Sequence, residues 1–121
     1  MKLRIVFLVS ILLLGSMECA LARDKQGNLA VYGLGSKTCE KFIEDRKEKG
    51  DLSYHHWLGG YISGFNTGSE DTYDVLGAKD FDDLIVWLEN YCKSNPLDAF
   101  GIATGKLMIE LYPQRKKGPG K

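Results

Sequence analysis

No Cys-x-x-Cys, GxSxG, HExxH or P-loop pattern occurs anywhere in this chain. Each absence removes a class. Without Cys-x-x-Cys or clustered histidines there is no zinc-type ligand spacing. Without the other motifs, the familiar hydrolase, metalloprotease and nucleotide-binding signatures are missing. Histidine occurs only twice, as the adjacent pair His55 and His56. Neighbours on a helix point about 100° apart, so the two do not face one site. The chain also lacks net charge: 16 basic residues balance 16 acidic ones. A nucleic-acid partner favours a concentrated basic surface, which this balance does not offer. Beyond residue 22 no run is apolar enough to span a membrane. The composition therefore predicts a non-enzymatic protein with no cofactor, no metal and no nucleic-acid partner.

The first residues read MKLRIVFLVSILLLGSMECALA. Lys2 and Arg4 precede an apolar run from Ile5 to Leu14, broken only by Ser10, and Ala20-Leu21-Ala22 supplies small residues. That layout predicts a secretory signal peptide over 1–22, cleaved after Ala22. The run is shorter than the roughly 20 residues a spanning helix needs, which disfavours an uncleaved anchor. Glu18 stands before Cys19, where a lipoprotein signal wants a small residue. Cleavage would leave 121 − 22 = 99 residues with 16 − 2 = 14 basic and 16 − 1 = 15 acidic groups. The expected location is periplasmic or secreted, with no membrane insertion after cleavage.

Cysteine counts change in the same way. Cys19 leaves with the leader, and Cys39 and Cys92 remain as an even pair in a compartment that permits disulfides. Only one intramolecular bridge can form. The rival is a catalytic Cys–His pair using His55 or His56; a structural disulfide is the expectation.

Along the mature chain, 23–35 (RDKQGNLAVYGLG) reads as an extended arm that docks by Val31 and Tyr32. Helical signals fill 36–112. The first helix is capped by Ser36 or Thr38, carries Cys39, Phe42, Ile43 and Arg46 on one side, and stops at Gly50. The second starts near Ser53 and ends at Gly68. Its Trp57, Leu58, Tyr61, Ile62 and Phe65 share an arc of about 140° at helical spacing. Gly59, Gly60, Ser63, Gly64 and Thr67 occupy the opposite face. Each helical Gly costs about 0.8–1 kcal/mol against Ala. The small face therefore predicts close approach of another backbone, with a broken helix as the alternative. Gly101 and Gly105 of the last helix are the expected crossing point.

Residues 66–79 read as a solvated acidic loop without the EF-hand pattern. Asp80 caps the third helix, Asp82 and Asp83 suit its dipole, and Phe81, Leu84, Trp87, Leu88, Tyr91 and Cys92 keep helical spacing. Asn95-Pro96 stops that helix and is expected to start the fourth, which runs to about Tyr112 with Phe100, Ala103, Leu107 and Leu111 as its stripe and Met108 beside it. The basic residues 113–121 read as a disordered tail. The fold class is all-α: a small four-helix domain with one disulfide.

YGLGSKTCEKF, WLGGYISGFN and WLENYCKSNPLDAF resemble a family of small exported bacterial proteins related to the HdeA/HdeB periplasmic acid-stress chaperones. They are also similar to periplasmic immunity proteins that neutralise type VI secretion effectors. The likeness covers roughly residues 32–112. It implies an HdeA-like fold, the disulfide Cys39–Cys92, and a protein partner or unfolded client proteins; a homodimer is compatible with it.

Each resemblance implies a mechanism. For a chaperone, acid is the trigger: near pH 2 the mature chain would carry about +16 by ordinary pKa values. Self-repulsion would then expose apolar faces to clients. For an immunity protein, the acidic 70–83 segment is the patch for a basic partner. It holds Glu70, Asp71, Asp74, Asp80, Asp82 and Asp83 against Lys79 alone. A small-ligand carrier built on Trp57, Tyr61, Phe65, Trp87 and Tyr91 is a further alternative.

Overall fold

The computed structural model describes residues 24–26, 28–48 and 52–118. The expected signal peptide, Cys19 and the Gly50 stop lie outside them. The chain divides into two units, Met1–Ala30 and Val31–Lys121. In the first, the Asp24 carboxylate accepts from the backbone N–H groups of Gln26 and Asn28. All that follows concerns the second.

Four α-helices form there: α1 (Cys39–Asp45), α2 (Ser53–Gly68), α3 (Phe81–Ser94) and α4 (Phe100–Leu111). Short 3-10 turns, Gly33–Ser36 and Tyr112–Gln114, precede α1 and follow α4. No strand occurs among the described residues, only two isolated bridges, Thr38 with Ala99 and Asp74 with Lys116. No described helix is long and apolar enough to cross a membrane.

Thr38 is the cap of α1: its Oγ1 accepts from Lys41 N at 3.2 Å. A seven-residue helix has few bonds of its own, and its remaining free N–H groups need partners. The 95–99 turn supplies two of them. Cys39 N donates to Asp98 O at 2.8 Å, Glu40 N donates to Pro96 O at 2.9 Å, and Phe100 N returns a bond to Lys37 O. The expected helix start at Asn95-Pro96 is therefore displaced to Phe100. The carbonyls that would have opened that helix cap another one.

Cys39 and Cys92 form the disulfide, tying the first residue of α1 to the last turn of α3. Both are buried. Behind them Phe42, Tyr54 and Phe100 cluster, with ring centroids 4.6–5.0 Å apart. Leu58, Ile62, Val75, Leu84, Ile85, Leu88, Ala103, Leu107, Met108 and Leu111 join them in the core. The apolar stripes of α2, α3 and α4 all point to it, as their spacing predicts.

Among the described residues nothing packs closely on the glycine face of α2 beyond one ring edge. A Cβ on Gly60, Gly64 or Gly68 would meet nothing within 4 Å, and Gly59 faces only the edge of Phe81 at 3.7 Å. This overturns the expectation that a backbone lies against that face and that Gly101 and Gly105 cross it. Glycine is demanded elsewhere. A Cβ on Gly35 would fall into the Trp57 indole and Val31, and one on Gly101 would press on Val31 and on Gly35 O at 3.1 Å. The close approach is thus between the 33–36 turn and α4. Val31 docks the arm there, while the Tyr32 side chain stays 82% exposed and only its carbonyl is used, accepting from Trp57 Nε1.

Opposite signs follow. Gly60→Ala and Gly64→Ala should each raise stability by about 0.8–1 kcal/mol, since the helix gains and nothing is displaced. Gly35→Ala should lower it by about 1–3 kcal/mol through overpacking. Urea midpoints of the three variants against the parent check this.

The 66–79 connection is only partly solvated. Val75 is fully buried, and its N–H donates to Asn66 Oδ1. Nor do residues 113–118 run free. Lys116 N donates to Asp74 O at 2.9 Å, and Tyr73 N and Asp74 N donate to Lys116 O at 2.8 and 3.1 Å. Gly77, at φ +61, leaves room for Gln114 to pass. The disordered tail expected from composition is, through Gly118, a strap on the acidic loop.

Candidate functional site

The six acidic residues of 70–83 part company in the fold. Glu70 and Asp71 sit in an exposed turn, with Asp71 at φ 51. Asp71 pairs with Lys117 at 3.4 Å and with Arg115 at 3.9 Å. Asp74 turns its carboxylate back to Leu76 N. Asp71 thus faces the chain's own cations, so Lys79 is not the segment's only counter-charge.

Asp80, Asp82 and Asp83 lie at the start of α3. Asp80 and Asp83 form a reciprocal capping box: Asp83 N donates to Asp80 Oδ1 at 2.9 Å, and Asp80 N donates to Asp83 Oδ2 at 3.2 Å. Asp80→Ala should therefore lose about 1 kcal/mol, read as a lowered thermal midpoint. Asp82 is exposed and has no structural duty among the described contacts.

These three acids rim a groove of about 440 Å³ between the first half of α3 and the end of α4. Glu110 closes the far side and, among the described residues, Lys79 is the one basic residue in the lining. Its apolar surface comes from Val86, 57% exposed, and the half-buried Trp87 over Leu84, Leu107 and Leu111. Trp87 is fixed on both sides. Its Nε1 donates to Glu110 Oε2 at 3.0 Å, and its ring stacks on Tyr91 with centroids 5.4 Å apart.

Tyr91 continues the ridge. Its hydroxyl donates to the Asp98 carboxylate and accepts from Lys106 Nζ. Lys106 also lies 3.6 Å from Asp98 and 5.1 Å from the Tyr91 ring centre. The hydrogen bond to Tyr91 above all, helped by Asp98, holds the Lys106 ammonium above its ordinary value. A nucleophilic lysine needs the reverse shift. Lys106 is a fixed positive charge.

A second hollow, about 570 Å³, lies beside the disulfide between α1 and the end of α3. Glu40, Lys41, Glu44, Lys47 and Lys93 line it with alternating signs. Lys41 is already matched by Asp45 and then Glu44, which raise its pKa. A surface that neutralises itself gives little discrimination between partners.

The other candidates resolve differently. Cys39 and Cys92 carry no thiolate while bonded to each other, so the Cys–His rival has no nucleophile. His56 is exposed; His55 is half-buried, and its Nδ1 has no hydrogen-bond partner. Among the described residues, no three His, Cys, Asp or Glu side chains gather as a metal site. The five aromatics of the carrier reading separate: Trp57 and Tyr61 pack together, Phe65 meets Tyr112, and Trp87 with Tyr91 forms the ridge. No family model, curated protein or solved structure matches the chain.

Sequence reasoning missed Glu110 and Val86. Both sit on the exposed side of amphipathic helices, where spacing alone does not distinguish a groove wall from ordinary solvated surface.

Proposed function

We propose that this chain is an exported protein-binding domain, not an enzyme, and that the α3–α4 groove is its contact surface. The observation that carries the reading is the groove's composition. Four carboxylates rim an accessible Trp87 and Val86, opposed by a single lysine. Such a surface suits a polypeptide with basic and apolar side chains, and complementary charge would speed its association. A half-exposed Trp is a frequent anchor of protein interfaces.

The reading accommodates both resemblances. An immunity protein would use the groove at neutral pH to cover one basic partner. A chaperone with an HdeA-like fold would act in acid. A specific feature supports that second form: many carboxylates hold tertiary contacts. Asp45 accepts from Tyr54, Glu89 from Arg46, Asp98 from Tyr91 and Glu110 from Trp87. Acid at pH 2–3 neutralises carboxylates as a class and leaves Lys and Arg charged.

Two measurements separate the forms. The first is cross-linking in the producing cell at neutral pH, comparing the parent with Asp82→Lys/Val86→Asp. Both positions are exposed, so neither change touches the cap or the core. One partner recovered in stoichiometric amount with the parent and lost with the variant supports the immunity form. An unchanged set removes the groove as the contact. The second is light scattering of an acid-labile model protein at pH 2–3. Undiminished aggregation with the chain present in equimolar amount removes the chaperone form.

A further inference from the structure

A different surface already holds an occupant. The segment Arg115–Lys117 lies antiparallel along Tyr73–Asp74, held by the three backbone hydrogen bonds to and from Lys116. Its side chains alternate as an extended strand requires. Lys116 is exposed, while Arg115 and Lys117 both turn to Asp71. Arg115 is the anchor. Its side chain is 11% exposed, its guanidinium lies 3.8 Å from the Tyr112 ring centre, and Nε donates to Thr72 Oγ1 at 3.1 Å and to Asp71 O.

We propose that the Asp71–Asp74 edge is a docking surface for an extended basic segment of the form Arg-x-Lys, and that residues 115–117 are a built-in occupant which a partner segment of that chemistry displaces. The occupant itself shows the chemistry accepted: backbone pairing in extended form, one guanidinium against Thr72 and the Asp71 carbonyl, and a second cation two residues on. This is strand addition of the kind that many peptide-binding domains use.

Past the Arg115 anchor the strap's hold is polar and exposed. Lys116 and Lys117 contribute nothing to the core, and the Lys117–Asp71 pair joins side chains 59% and 60% exposed. Tethering is what favours the strap, because it gives the strap an effective concentration of roughly millimolar order. The surface is separate from the α3–α4 groove and does not depend on it.

The test uses the full chain labelled with ¹⁵N. The probe is a synthetic peptide copying residues 112–118, and the control carries Glu at the positions equivalent to 115 and 117. In the variant Arg115→Glu/Lys117→Glu the strap should leave the edge. The probe should then shift the amide signals of Tyr73 and Asp74, at least about 10-fold more tightly than in the parent, as loss of a tethered competitor requires. Salt should weaken binding, and the control should do nothing. A folded variant that ignores the probe, or equal affinity for parent and variant, overturns the proposal. If the variant does not fold, hydrogen exchange on the parent decides. The Tyr73, Asp74 and Lys116 amides should exchange through local opening, at least about 10-fold faster than Leu88 in the core. Exchange at the Leu88 rate overturns displaceability.

Discussion

Replacing Cys39 and Cys92 together by Ala is expected to remove about 4 kcal/mol of stability, from the chain-entropy cost of leaving a loop of this length open. The bridge spans a sequence separation of 53 and encloses α2 and the acidic loop. A domain of this size has about 5–15 kcal/mol in total, so the loss is a large fraction of what holds it together. The effect should concentrate on α1, which has seven residues and depends on Thr38, on two carbonyls of the 95–99 turn and on Phe42. Urea unfolding of the double variant should show a midpoint far below that of the oxidised parent, and the reduced parent should behave like the variant. A double variant as stable as the parent would mean that packing alone sets the position of α1 on α3.

Phe100→Ala should cost about 3–5 kcal/mol. Phe100 is fully buried at the first residue of α4, where three aromatic rings converge on it: Phe42 at 4.6 Å, Tyr54 at 5.0 Å and Trp57 at 5.5 Å. Those rings come from α1 and α2, so the residue joins three helices at one point. None of the three neighbours can collapse into the space freely. Phe42 is the third residue after the bridged Cys39, Tyr54 is tied to Asp45 through its hydroxyl, and Trp57 is tied to Tyr32 O. The cost should therefore fall in the upper part of that range. Phe100→Leu should lose much less, because it refills most of the volume. Equal losses for both variants would indicate that shape, not volume, is what the site demands.

Where signals are local, the fold was legible. Asp80 is readable as a cap, and Thr38 as one of two candidates with Ser36, because the carboxylate or hydroxyl lies three residues from the N–H it accepts from. The bounds of α2 at Ser53 and Gly68 followed from its own periodicity. Cys39 and Cys92 followed from counting. The errors are all non-local. Asn95-Pro96 carries the letters of a helix start, yet the Pro96 and Asp98 carbonyls serve α1, more than fifty residues earlier in the chain. The glycines of α2 looked like a contact face because sequence does not distinguish an open side from a crowded one. Gly35 and Gly101 do make the contact, and they come from opposite ends of the domain. The strap pairs residues 73–74 with 116 and shows no periodicity at all. Opposite charge on 70–74 and 115–117 was the one signal available for it.

For the site, the acidic segment is legible as a run of charge but not as one shared surface. Asp80, Asp82 and Asp83 do meet in one groove. Glu70, Asp71 and Asp74 do not join them there, because the connection folds back under the C-terminal strap.

The exported protein-binding role rests on export followed by oxidation of one cysteine pair. Intact mass and peptide mapping of the chain recovered from the producing cell's own envelope or medium test that directly. The expected product is a polypeptide beginning at Arg23, two hydrogens lighter than its reduced form, with a single cross-linked peptide joining Cys39 to Cys92. A chain that keeps Met1 and binds alkylating reagent at Cys39 and Cys92 without prior reduction would contradict it.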